Sequence, residues 1–357
     1  VRTPVVLVTG VSPDAMDATL VSLQWDLPQA VAVRHHIDVE RQLLTRVVSD
    51  VTGVLDRAEV DLEHACVSCA LREDVVPTIE RLARDGRWGT VVAHLPVGAD
   101  AAQVCHVLTW DARLARHLRV AGVVTAVAGP TVVDDLLGDA LMAERGVATS
   151  HEDERGVGEV ASGMVEHADV VVVTGEREPA GLALLRTLAR PGARVVAGPE
   201  LLDGALVADG LHDHAATTAW ASPYRTQDVP SPDVPDVWQV DLRSDRAFHP
   251  DRLLEGLEDL GSGRHRSRGC FWLPTRPGRA LEWDGAGGQL SIGAGESWGR
   301  RPAQTRLVLT GVGARPDHLE EAFEALLMTT AEEASGQSWQ RPVDGFEPWL
   351  GPVREIA

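Results

Sequence analysis

The 357-residue sequence predicts an α/β protein in which a mostly parallel sheet domain is followed by a small α+β domain. Three observations carry that expectation. Unbroken aliphatic runs such as Pro4–Thr9 and Asp169–Thr174 read as parallel strands, buried on both faces. Helical patterns separate these runs, which implies right-handed βαβ crossovers. Beyond residue 217 the periodicity dissolves into a proline-rich stretch, and five strand-like runs follow.

In chain order, Pro4–Thr9 ends at Gly10 and leads through a loop over 11–14 into a helical segment reaching Leu23. Val31–Arg34, Thr90–His94 and Val120–Val127 are further strands; Asp169–Thr174 is followed by a helix over Pro179–Ala189 and a strand over Ala193–Ala197. Leu71, Val75, Ile79 and Leu82 recur at helical spacing directly after Cys66-Val67-Ser68-Cys69. The expected domains are 1–215, a Pro-rich linker over 216–236, 237–330, and a tail over 331–357. In the second domain Val237–Leu242 is strand-like, and Phe248-His249-Pro250 opens a helix with proline where a missing N–H costs nothing. Runs over 269–273, 280–283, 289–292 and 305–310 form an antiparallel set, closed by a helix over 317–327. Gly285-Ala286-Gly287-Gly288 reads as a hairpin turn. Whether the tail, with Trp339 and Trp349, docks on the body is open at this level.

The formal net charge is −20, which argues against DNA or another bare polyanion as partner and favours basic proteins. All 33 basic residues are arginine, and the sequence contains neither lysine nor asparagine. Four cysteines without a regular framework fit a reducing, cytoplasmic setting, and no apolar run approaches the ~20 residues of a membrane helix. No basic and apolar leader is expected at the start of the sequence.

The chemistry concentrates at Cys66 and Cys69. A Cys-x-x-Cys pair at a helix start favours the thiolate, which is both metal ligand and nucleophile. Zinc is the ion such a pair suits, but a closed site needs four ligands and no second pair exists. His64 is the nearest candidate third ligand, with Glu63 and Asp61 beside it, and His94, Cys105 and His106 come from the next βα unit. His35-His36 reads as an ordinary exposed stretch, and Arg264-His265-Arg266-Ser267-Arg268 as either a solvated turn or a contact for phosphate or an acidic partner.

Ala65-Cys66-Val67-Ser68-Cys69-Ala70-Leu71-Arg72-Glu73-Asp74 resembles the Gly-Cys-x-Cys-Cys-x-Leu-Arg-x-Asp signature of the CobW-like metal-handling GTPases, with Ala65 for the glycine and Ser68 for the middle cysteine. The resemblance implies a P-loop-GTPase-like first domain, a CobW C-terminal-like second domain, and zinc as the metal. It extends to an actinobacterial branch with the same departures, whose members recruit a ribosome hibernation-promoting factor. On that branch the expected partner is the factor itself, and through it the small ribosomal subunit. Ser68 offers a hydroxyl where the family has a thiolate, so a zinc sensor and an emptied relic are both compatible.

The residues argue against GTP and Mg²⁺. A phosphate-binding loop reads Gly-x-x-x-x-Gly-Lys-Ser/Thr after the first strand. Here only Gly10 survives in Gly10-Val11-Ser12-Pro13-Asp14-Ala15-Met16-Asp17, and without lysine no other alignment restores it. Thr174-Gly175-Glu176-Arg177 stands where a guanine-reading Asn-Lys-x-Asp would be, and His94-Leu95-Pro96-Val97-Gly98 lacks the expected acid. The sequence therefore predicts a pseudo-GTPase: an adaptor that recruits the hibernation factor in response to zinc, with a zinc chaperone or GTP-binding protein as the alternative.

Overall fold

The structure, a computed structural model, describes residues 2–62, 66–334, 339 and 342–353. The chain forms two compact units, 1–135 with 140–221, and 136–139 with 222–357.

The first unit begins with β1 (Thr3–Gly10), α1 (Pro13–Asp26) and β2 (Ala30–Asp38), then a hairpin of β3 (Leu43–Asp50) and β4 (Gly53–Asp61). A continuous helical run follows: α2 (Val67–Ala70), a π turn over Leu71–Val75, and α3 (Val76–Asp85). Next come β5 (Thr90–His94), α4 (Ala101–Trp110), β6 (Leu118–Ala128), α5 (Val132–Leu137), α6 (Val157–His167), β7 (Val170–Thr174), α7 (Pro179–Leu188), β8 (Arg194–Val196), α8 (Gly204–Gly210) and α9 (His214–Ala221). The sheet order is β4-β3-β2-β5-β1-β6-β7-β8, parallel except for the pairings of β3 with β2 and β4. Alternation along β1 divides the core between the two faces. Val5 and Leu7 pack with Ile79, Leu82, Val104 and Leu108, while Val6 and Val8 pack with Met16, Leu20 and Leu23. None of the four strand residues is exposed, so a both-faces-buried run is what the sequence had to contain there. No helix among the described residues is long and apolar enough to cross a membrane.

The second unit is an antiparallel sheet in the order β12-β11-β10-β13-β9, built from β9 (Val237–Ser244), β10 (His265–Phe271), β11 (Arg279–Ala286), β12 (Gln289–Ser297) and β13 (Thr305–Val312). Its core gathers Phe248, Phe271, Trp283 and Phe323. Gly287 and Gly288 make the β11–β12 turn with positive φ (+62° and +87°), the conformation glycine alone adopts freely.

Two expectations are corrected and one open question, the docking of the tail, is answered. Arg264–Arg268 is no solvated turn: His265 and Arg266 lie inside the central strand, 4% and 2% exposed, and Arg266 is paired with Asp284 on β11. Residues 214–221 are the helix α9, and in the following stretch Tyr224 already donates to Glu282 at 2.6 Å, so much of 216–236 is held in place. The described part of the tail docks: Phe346 is fully buried, and the buried Asp344 carboxylate accepts from Thr275 (2.7 Å) and Arg276 (2.8 Å).

Candidate metal centre

Two helix starts in the first unit occupy the places where the sequence looked for chemistry. At the first, only Val11 and Ser12 separate the end of β1 from Pro13, where α1 begins. The helix thus starts inside the segment that would have to be a loop around phosphate. Pro13 has no N–H, the Ser12 hydroxyl accepts from the Ala15 N–H at 3.4 Å, and Asp14 adds negative charge to the first turn. Counting the motif from Gly10 puts Met16 in the lysine place and Asp17 in the Ser/Thr place. Met16 is fully buried in the core, and Asp17 is held by Arg34 at 2.8 Å. His94 approaches Asp17 at 3.3 Å, although neither of its ring nitrogens makes an aligned hydrogen bond. Burial pushes the His94 imidazole down to about 4, against the pull of Asp17, so it is neutral at physiological pH. Gly10 itself has a packing reason to be glycine: a Cβ there would stand 2.5 Å from the Ala126 carbonyl oxygen and 3.0 Å from Met16 Cγ. The His94–Gly98 segment closes over it, with the Gly98 N–H donating to the Gly10 carbonyl at 2.9 Å.

At the second helix start, Cys66 is the N-cap of α2, and its Sγ accepts from the Cys69 N–H at 3.3 Å. Both thiols are free and half-buried. The expectation of a lowered thiol pKa is corrected for Cys69: its hydrogen bond with Cys66, then partial burial and the Cys66 and Glu73 charges, push it up despite Arg72. Cys69 is therefore a thiol at neutral pH, and a metal would have to displace its proton. His64, Glu63 and Ala65 lie outside the described residues.

What fixes this helix start is Asp74, in the π turn, 5% exposed. One carboxylate oxygen meets His35 Nε2 on β2 at 3.0 Å, and the other accepts from Arg46 on β3 at 2.5 Å. Thr78, one turn on, donates at 3.3 Å. Burial would raise the Asp74 carboxyl, but the His35 hydrogen bond and charge, then Arg46 and Thr78, hold it below the ordinary carboxylate value. His35 is consequently buried at 1% exposure and not the exposed stretch the sequence suggested. The Leu-Arg-x-Asp part of the signature thus has a physical role: it ties the cysteine helix to the sheet. The π turn lets Leu71 and Val75 keep their place in the core as the helix begins.

The remaining candidate ligands go elsewhere. Among the described residues, the group of three His, Cys, Asp or Glu side chains close enough to share an ion is Cys105, His167 and His212, not a group around Cys66. Cys105 and His106 therefore do not supply the missing ligands of the Cys66–Cys69 pair. His106 instead packs near Trp110 and His214, with ring centroids 6.3 and 6.4 Å away.

The nucleotide-binding domain of the CobW/HypB/UreG family matches residues 34–176, beginning beyond the altered first loop, and the cobalamin synthesis protein cobW C-terminal domain matches residues 237–327. The zinc chaperone Rv0106 of Mycobacterium tuberculosis is 30% identical, the match covering 98% of this chain and 94% of that protein. The zinc-regulated GTPase metalloprotein activator 1 of Dictyostelium discoideum is 22% identical over 66% of this chain and 53% of its own length. Among solved structures, the Zn(II)-bound YjiA GTPase from E. coli aligns over 91% of this chain and 99% of its own, with a TM-score of 0.36 and 15% identity.

Proposed function

Because this chain belongs to the CobW/HypB/UreG family and carries its cobW C-terminal domain, we propose that it handles zinc through Cys66 and Cys69 and no longer uses a nucleotide to do so. The observation that carries the zinc half is the free, half-buried thiol pair at a helix start that Asp74 fixes to two strands. Two thiolates on a rigid frame are a starting set for zinc, and a set short of four protein ligands releases its ion more readily than a closed one. The names of the relatives, one a zinc chaperone and one a zinc-regulated GTPase, support the same reading. The pseudo-GTPase half is supported by the two-residue turn before Pro13, with Met16 and Asp17 where a lysine and a hydroxyl would serve Mg²⁺-bound phosphate.

Isothermal titration of zinc into the wild-type chain and into Cys66→Ala/Cys69→Ala tests the assignment. Loss of one binding equivalent in the variant is expected; the same number of equivalents in both removes zinc from this pair.

A second reading, recruitment of a hibernation-promoting factor to the small ribosomal subunit, is favoured by the net charge of −20, which attracts a basic ribosome-binding protein and is repelled by bare RNA. Within Arg264–Arg268 it is Arg266 that is withdrawn from such a contact, being buried and paired with Asp284. A deletion strain grown without zinc should then lack the factor on its ribosomes; normal occupancy would leave the zinc-carrier reading alone.

A further inference from the structure

A second constellation of metal-binding side chains lies in the first unit, and of its members only Cys105 stands out in the sequence. Cys105 sits on the buried face of α4 with no exposed surface, His167 is the last residue of α6 at 4% exposure, and His212 lies in the turn between α8 and α9 with its side chain 2% exposed. The donor atoms of these three residues all lie within 4.8 Å of one another.

Hydrogen bonding sets the orientation of one ring. Asp169 is a fully buried carboxylate that accepts from the Val123 N–H (2.8 Å) and from Arg190 (2.5 Å), and its Oδ2 lies 3.0 Å from His212 Nδ1. An acceptor-only carboxylate puts the imidazole proton on Nδ1, which leaves a lone pair on His212 Nε2. That Nε2 is buried without a hydrogen-bond partner, and so is His167 Nε2. Two unpartnered ring nitrogens beside a buried thiol are costly in a bare core, and an ion that all three share accounts for them. A carboxylate that orients a histidine from behind is also the usual outer support of a zinc ligand.

We propose that Cys105, His167 and His212 form a second metal site, for a zinc-class divalent cation, separate from Cys66 and Cys69. One thiolate and two imidazoles are a donor set that suits zinc and cobalt and disfavours calcium or magnesium. Zinc–sulfur and zinc–nitrogen bonds require donors about 3.5 Å apart, so side-chain rotations of roughly 1 Å close the present spacing. His214 stands beside the group: its ring centroid is 5.8 Å from that of His212, its Nδ1 is buried without a partner, and both rings line a surface pocket of about 290 Å³ that gives an ion a way in. Binding replaces the Cys105 S–H bond by a sulfur–metal bond, and the proton leaves to solvent. Burial, with Asp169 and Asp100, pushes the free thiol well up, so in the metal-free chain Cys105 is a neutral core residue.

The two sites share no ligand, so the test is made where the first is absent. Cobalt(II) is titrated into the full chain carrying Cys66→Ala/Cys69→Ala, and absorption is followed. One equivalent with a thiolate-to-cobalt charge-transfer band is expected, and adding Cys105→Ser should abolish the band. His212→Gln in the same background should weaken cobalt binding by on the order of 100-fold, and it carries the test if the serine variant does not fold. No charge-transfer band in the Cys66→Ala/Cys69→Ala chain, or an unchanged band after Cys105→Ser or unchanged affinity after His212→Gln, overturns the proposal. Either result leaves the reading of Cys66 and Cys69 to its own titration.

Discussion

The two helix starts, Ser12–Pro13 before α1 and Cys66 before α2, face the same physical problem and solve it in opposite ways. Each leaves backbone donors that need an acceptor. At α1 proline removes one donor and the Ser12 hydroxyl accepts from another, while the nearby Asp17 is already held by Arg34. At α2 the acceptor is a thiol, Cys66, whose partner Cys69 is equally free to bind something else. In this reading the fold kept its sheet and crossovers, closed one functional terminus by ordinary capping, and kept the other open. A family frame is thus no guide to which of its sites still works; the local donors and acceptors are.

The largest effect is expected where the open start is anchored. Asp74→Ala leaves His35 and Arg46 without their carboxylate and should cost about 3 kcal/mol of stability by denaturant unfolding. The same variant should weaken zinc binding, because the cysteine helix loses its tie to β2 and β3. The pH sign follows from the lowered Asp74 carboxyl: its stabilisation is complete above the ordinary carboxylate pKa and is lost as pH falls through the folded value. Wild type should therefore lose more stability on acidification than Asp74→Ala; equal losses would mean that the anchor is not this carboxylate.

Much of this frame could be read in the sequence, and the reasons it ran out are physical. Strands β1, β5 and β7 announce themselves because both faces are buried, and the cysteine helix because its apolar residues recur on one side. The β3–β4 hairpin was missed since β4 is the sheet edge, exposed along almost its whole length, and has no buried face to impose alternation. The signature aspartate was legible, but its partners were not: His35 is 39 residues away and is recruited only by the sheet pairing. Cys105, His167 and His212 lie on three separate elements, so no spacing rule could join them.

A smaller effect concerns protons at the open start. Because Cys69 is pushed above its ordinary value, zinc must displace its proton, and affinity should rise by about tenfold per pH unit for each proton released near neutrality. A pH-independent zinc affinity between mildly acidic and neutral solution would show that the pair binds without deprotonation, or not at all. Smaller still, Ser12→Ala removes a long capping bond and should cost about 0.5 kcal/mol, with zinc affinity unchanged. A loss several times larger would show that the α1 start is held by its serine and not by Pro13 and the Asp17 pairing.

The claim that one start is closed while the other remains open is tested most directly by measuring zinc affinity with and without saturating GTP and Mg²⁺. The account predicts superimposable isotherms, since a ligand that does not bind at α1 cannot shift an equilibrium at Cys66 and Cys69. A zinc affinity that changes severalfold when nucleotide is added would contradict it and return the chain to the nucleotide-driven metal carriers.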